Sequence, residues 1–100
     1  VVATSMVAYE PVWAIGTGKT ATPEDASVVH VALREELRTI CGERGRAVPI
    51  LYGGSVNRSN VQALLTAPEV DGVLVGGASL DPEQWHAIVR SSPTEQTPQQ

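Results

Sequence analysis

Three short apolar runs alternate with three helix-like segments along these 100 residues, and each run is stopped by an unusual turn. Met6-Val7-Ala8-Tyr9 ends at Glu10-Pro11 and passes into a loop carrying Gly16 and Gly18. Val48–Tyr52 is broken by Gly53-Gly54, and Gly72–Val75 by Gly76-Gly77. The order strand, helix, strand, helix, strand, helix predicts an α/β fold with parallel strands and right-handed crossovers. Ligands in such folds bind beyond the C-terminal ends of the strands. All three turns are expected at that one edge.

The helix boundaries follow from capping chemistry. Thr22-Pro23-Glu24-Asp25 opens the first helix: Thr22 suits the N-cap, Pro23 the first helical position, and Asp25 an acidic first turn. Ala26, Val29, Ala32 or Leu33, Leu37 and Ile40 then recur at helical spacing, and Gly42 is the expected stop. Glu43-Arg44-Gly45-Arg46 reads as a polar turn. A second helix is expected over 58–65, with Val61, Leu64 and Leu65 on its apolar face. Asp81-Pro82-Glu83 opens a third that runs to about Arg90, with Trp85, Ile88 and Val89 inward. Residues 1–90 therefore read as one domain part. Residues 91–100, with two prolines, three glutamines and no apolar side chain, read as a disordered tail.

Composition excludes several classes. A net charge of −4 argues against a nucleic-acid partner. A single cysteine, Cys41, rules out an internal disulfide and fits a reducing compartment; it is expected to be a small buried residue. No apolar run approaches the roughly 18–20 residues of a membrane span. A chain this short buries only about 60–65% of its unfolded surface, so its independent stability is expected to be marginal. Because Val1 already lies in an apolar approach, further chain is expected upstream.

At the strand ends, the chemistry converges on an anion and a base. Glu10, set against Trp13 and Ile15, is expected to be partly desolvated, which raises a carboxylate's basicity and suits proton abstraction. A lone carboxylate can equally be a solvated or ion-paired one. Glycine pairs let backbone N–H groups converge on an anion, so Ser55 after Gly53-Gly54, together with Gly76-Gly77, suits a phosphate; tight strand-to-helix turns are the plainer alternative. Gly16-Thr17-Gly18-Lys19-Thr20 resembles the end of a nucleotide-binding phosphate loop, but Trp13 stands where the first glycine is required. It also resembles a dinucleotide fingerprint, but the helix signals come later, at Thr22-Pro23. His30 and His86 fall within helices and read as structural; Arg34 and Glu69 are a candidate ion pair.

Ala8-Tyr9-Glu10-Pro11-Val12-Trp13-Ala14-Ile15-Gly16-Thr17-Gly18-Lys19 resembles the catalytic glutamate and lid loop of the triosephosphate isomerase family. Tyr52-Gly53-Gly54-Ser55-Val56 resembles the loop after that family's seventh strand, and Asp71–Leu80 its eighth strand and phosphate-binding turn. The motifs occur in the family's order, and the similarity runs from Val1 to about Arg90.

The resemblance implies strands six to eight of a (β/α)8 barrel, incomplete here, from a cytoplasmic, homodimeric enzyme of glycolysis and gluconeogenesis. The implied reaction interconverts dihydroxyacetone phosphate and glyceraldehyde 3-phosphate through an enediolate, with no cofactor and no metal. Glu10 matches the general base, and Gly16, Ser55, Gly76 and Gly77 match the contacts to the substrate phosphate. Ile15 and Leu74 match an apolar clamp on the glutamate; Pro11-Val12-Trp13 and Lys19-Thr20-Ala21 match the lid hinges. Tyr52 and Ser55 resemble groups that hold the closed lid, and Arg34 with Glu69 a structural ion pair. The family's asparagine, lysine and histidine have no counterparts here, so the chain alone is expected to be inactive. A non-catalytic phosphate-ligand module, or a piece that completes another chain's barrel, remains the alternative.

Overall fold

The structure, a computed structural model, describes residues 5–12 and 21–91. The lid expected over residues 13–20 and the tail from residue 92 lie outside them. Strand β1 (Val7–Tyr9) leads to helix α1 (Pro23–Cys41). A 3-10 segment (Gly42–Ala47) precedes strand β2 (Ile50–Tyr52) and helix α2 (Val61–Leu65). Strand β3 (Gly72–Val73), a 3-10 turn (Gly77–Leu80) and helix α3 (Pro82–Arg90) complete the order.

The strands form one parallel sheet in the order β1-β2-β3. Val7 lies opposite Ile50 and Tyr9 opposite Tyr52, which in turn faces Val73. All three strands therefore exit at one edge. The ladder continues one step beyond the strands: Gly53 N–H donates to the Tyr9 carbonyl at 2.7 Å and Leu74 N–H to the Tyr52 carbonyl at 2.9 Å. The described residues form a three-stranded α/β unit, not a closed barrel.

Alternation along the strands assigns the two sheet faces. Ile50 and Tyr52 are fully buried under the helices. Ala8, Leu51 and Gly72, which share a register row, face the other way, where Ala8 is exposed and Leu51 half-buried. Met6 and Leu74, two residues from Ala8 and Gly72, are 63% and 48% exposed. One face of the sheet is thus covered and the other open. The larger buried cluster gathers Ala26, Tyr52, Val56, Val61, Leu64 and Ile88; a smaller one joins Leu37, Val48 and Ile50.

Helix α1 starts as its capping residues require. Asp25 N–H donates to Thr22 Oγ1 at 3.0 Å, and Thr22 N–H donates to Asp25 Oδ2 at 3.1 Å, a reciprocal pair that satisfies two orphan donors. Gly42 ends the helix at φ 68°, in the left-handed half of conformational space that favours glycine. Several expectations are corrected. The buried stripe of α1 is Ala26, His30, Arg34 and Leu37, and Ile40 is 65% exposed. Two polar residues take interior positions there: the Arg34 guanidinium and His30 Nδ1 find partners in the β2–β3 connection and the 3-10 segment, while His30 Nε2 is buried with no partner among the described residues. Residues 58–60 form a turn, so α2 begins at Val61. Its entry is held instead by Asn57 Oδ1, which accepts from the backbone of Ser59 and Asn60. Trp85 and Val89 are each 45% exposed, leaving Ile88 as the buried residue of α3. Cys41 is half-buried.

Candidate active site

Parallel pairing brings the three turns together, as the alternation of strands and helices requires. Glu10 directly follows β1, Gly53–Ser55 follow β2, and Leu74–Gly77 follow β3. Glu10 is exposed, which corrects the expectation of partial desolvation. The physical reason is its place on the chain: it is two residues beyond Ala8, and it exits the sheet at an edge whose other face is open. Trp13 and Ile15, the expected apolar neighbours, lie outside the described residues, as does Gly16.

Gly53 keeps the space beside Glu10 clear. A methyl placed on it would stand 3.9 Å from Glu10 Cα, 3.6 Å from Leu74 Cδ1 and 3.3 Å from the Tyr9 carbonyl oxygen. Glu10 and Leu74 therefore flank one small space whose floor is the Gly53 backbone. Gly54 serves packing instead: a Cβ there would overlap the Tyr52 ring and come 2.9 Å from Pro11 Cγ.

Gly76 and Gly77 differ from both. A side chain at either would meet nothing within 4 Å, and neither backbone needs a positive φ. Packing does not account for glycine at these positions; their bare backbone faces open space. That space is a cavity of about 320 Å³ walled by Gly54, Ser55, Val56, Asn57, Gly76, Gly77, Ala78 and Gln84. The loop bearing Ser55 is braced from within: Asn60 Nδ2 donates to the Ser55 carbonyl at 2.9 Å and Asn60 Oδ1 accepts from Asn57 N–H at 2.9 Å. On the other wall, Ser79 donates to the Gly76 carbonyl through its backbone N–H at 2.9 Å and its hydroxyl at 2.6 Å, fixing the turn after β3. Ser55, Asn57 and Gln84 give the cavity its polar side chains, and Gly54, Gly76 and Gly77 its bare backbone.

Behind the site lies a buried aromatic group. The Tyr9 and His30 rings meet edge to face with centroids 5.9 Å apart, and Tyr52 lies 6.3 Å from each. The His30 imidazole shares a hydrogen with the Glu69 carbonyl through Nδ1 at 2.9 Å; since a carbonyl only accepts, Nδ1 carries the proton. His30 is thus a structural residue of the core, as its helical position suggested. The Tyr52 hydroxyl is buried with no partner among the described residues, and burial pushes its pKa above the ordinary 10.0, with smaller contributions from Tyr9 and Asp25. The sequence reading overlooked Gln84 as a cavity residue and Asp71 as a partner of Arg34. Gln84 belongs to no motif, and Asp71 opens the third motif without any local sign of its partner; both roles are recognisable only once α3 and β3 are placed.

The family model described as triosephosphate isomerase matches residues 1–92. The triosephosphate isomerase of Granulibacter bethesdensis is 58% identical over 87 residues, which are 87% of this chain and 35% of that protein. That of Acidiphilium cryptum is 54% identical over 92 residues, 92% of this chain and 36% of the relative. That of Thermus thermophilus is 58% identical over 86 residues, 85% and 34% respectively. The chain spans about a third of the length of these relatives. With its motifs in order, its strand ends gathered at one edge and identity above half over most of its length, the chain belongs to the triosephosphate isomerase family.

Proposed function

We propose that this chain supplies the general base and half of the phosphate grip of a triose-phosphate isomerase, as strands six to eight of a (β/α)8 barrel. Glu10 moves the proton between the two carbons of the triose. Backbone N–H groups of Gly16, Ser55, Gly76 and Gly77 hold the phosphate. Leu74, beside the space above Gly53, and Ile15 cover the carboxylate when the lid is closed, excluding water and raising its basicity. The observation that carries this reading is the pairing of features at one edge: a carboxylate at the end of β1 and, after β2 and β3, a cavity edged by Gly76 and Gly77, which no packing requires. Binding energy from the non-reacting phosphate can then be used to close the lid over the reacting carbons.

The electrophilic groups that stabilise the enediolate belong to the part of the barrel these residues do not span. Such stabilisation is usually the largest single catalytic contribution, so the 100 residues alone are expected to be inactive. The restored protein is read as a cytoplasmic glycolytic homodimer that needs no cofactor. The test joins the chain to the N-terminal two thirds of a relative. Isomerase activity should appear in the joined protein, stay at background in the chain alone, and fall roughly 10²–10⁴-fold in Glu10→Gln. Activity that survives Glu10→Gln would end the reading. A second reading, a phosphate-ligand module without catalysis, draws on the cavity's lining, which does not include Glu10; phosphate binding without activity in the joined protein would favour it.

A further inference from the structure

We propose that Gln84 is a specificity-determining residue of the same cavity, donating its side-chain amide hydrogens to a bound phosphate; the proposal rests on the phosphate reading above. Gln84 sits in the first turn of α3 and lines the cavity together with Ser55. Its Oε1 accepts the backbone N–H of Arg58 at 3.4 Å, across 26 positions of sequence. A backbone N–H can only donate, so the carbonyl end of the amide is the end that faces Arg58. The NH2 end is left for another partner, and among the described residues no acceptor takes its hydrogens.

Asn57, the other amide in the wall, also accepts through its oxygen, but only within its own loop. Its Oδ1 accepts from Ser59 N–H at 2.8 Å and Asn60 N–H at 3.1 Å, so it closes its own turn. Gln84 instead links the two walls: the bond to Arg58 ties the loop after β2 to the helix that follows the Gly76-Gly77 turn. An amide donor suits this place. It adds a hydrogen bond to an anion without bringing a charge of its own. Its near-isostere glutamate offers acceptors alone and would repel a phosphate.

The two roles of Gln84, brace and donor, separate by substitution. Gln84→Glu keeps an acceptor for Arg58 N–H but loses the donor. Gln84→Met keeps the length and loses both. The chain, 15N-labelled and joined to the N-terminal two thirds of a relative, is titrated with inorganic phosphate at constant ionic strength, following the backbone amides of Ser55, Gly76 and Gly77 and the Gln84 side-chain NH2. The four signals should shift with one common affinity. Gln84→Met should weaken binding roughly three- to tenfold, as for a partly exposed hydrogen bond to an anion, and Gln84→Glu more than Gln84→Met. If the backbone amides respond while the Gln84 NH2 does not move, or Gln84→Glu binds like the parent, Gln84 is a brace and the inference is overturned with the phosphate site intact. If none of the signals responds, the phosphate reading falls and this one with it. The side-chain signal of the parent chain decides the matter even if a variant does not fold.

Discussion

Arg34 Nη2 donates to Asp71 Oδ2 at 2.7 Å, and the same oxygen accepts the backbone N–H of Ile50 at 2.8 Å. One carboxylate thus joins a helix to the strand beside it. The rest of the guanidinium is equally occupied: Nε reaches Glu69 Oε1 at 2.9 Å, and Nη1 donates to the carbonyls of Gly45 and Val48 at 2.7 and 2.6 Å. The Arg34 side chain is 8% exposed, whereas Glu69 and Asp71 are 39% and 41% exposed. Arg34→Ala strands two carbonyls and two carboxylates, with solvent reaching the carboxylates. The expected loss is about 2–4 kcal/mol, against roughly 5–15 kcal/mol for a whole small domain. Arg34→Lys should lose nearly as much, since an ammonium cannot span the fork of partners. Glu69→Gln, at the wetter end, should cost less than about 1 kcal/mol. Urea denaturation followed by circular dichroism ranks the three; an Arg34→Lys midpoint equal to the parent's would contradict the argument.

The Tyr52 phenol gives the fold an alkaline limit. Its pKa is raised in the folded chain, chiefly by burial, so the folded state holds the proton more tightly than the unfolded one. Below the ordinary value of 10.0 both states are protonated and the contribution to stability is fully present. Above it the unfolded state loses its proton first, and stability falls as pH rises toward the folded value. Tyr52→Phe should remove that slope. Because the hydroxyl has no partner among the described residues, the substitution should also leave stability at neutral pH unchanged or slightly higher. Thermal melts from neutral to strongly alkaline pH, alongside phenolate absorbance, check both parts.

The capping pair at Thr22 and Asp25 and the glycine stop at Gly42 were legible in the sequence because their partners lie within four residues. Parallel order and the common edge were legible because alternation of strands and helices admits few topologies. The helix faces were less so. Hydrophobicity selects Val29 and Ile40, yet α1 buries His30 and Arg34, whose partners in the chain are 11 to 39 positions away. No local pattern shows that a polar side chain will find such partners. Trp85 reads as core from its place on an apolar helical stripe, but β3 has no neighbour beyond it in the described sheet, and the buried stripe of α3 narrows to Ile88. At the candidate site, motif order and resemblance pick out Glu10, Ser55, Gly76 and Gly77, and the parallel sheet brings the turns that carry them to one edge. Gln84 became visible only when the cavity wall was built.

The adjacent glycines after β2 should respond oppositely to the same change. At Gly54 an added methyl overlaps the Tyr52 ring and crowds Pro11, both fixed in the core. Gly54→Ala is expected to cost about 1–3 kcal/mol, as other overpacked sites do. At Gly53 the nearest atom is the Tyr9 carbonyl oxygen at 3.3 Å, a contact that a few tenths of an ångström relieves. Gly53→Ala should cost less than about 1 kcal/mol, while filling the space between Glu10 and Leu74. In the joined protein the ranking should invert: Gly53→Ala lowers kcat more than its stability loss explains. Equal melting temperatures for the two variants would refute the packing distinction.

The open face of the sheet makes a prediction about association. Met6 just before β1, Ala8 on it and Leu74 after β3 present apolar surface on the side away from the helices, and the outer edge of β1 pairs with no other strand in the described sheet. Unpaired strand edges beside apolar surface template the addition of another strand. The 100-residue chain by itself should therefore associate as its concentration rises, and its unfolding should be broad and concentration-dependent. A lysine on an edge strand opposes such pairing, because a buried ammonium at the new interface has no counter-charge. Ala8→Lys with Met6→Glu should shift the chain toward monomer in sedimentation velocity without loss of helical circular dichroism, since neither side chain contributes to the buried clusters. The same two changes should weaken assembly with the N-terminal part of a relative, because both processes cover the same face. A parent chain that stays monomeric at every concentration and unfolds in one sharp transition would show that three strands with an open face suffice for a stable fold.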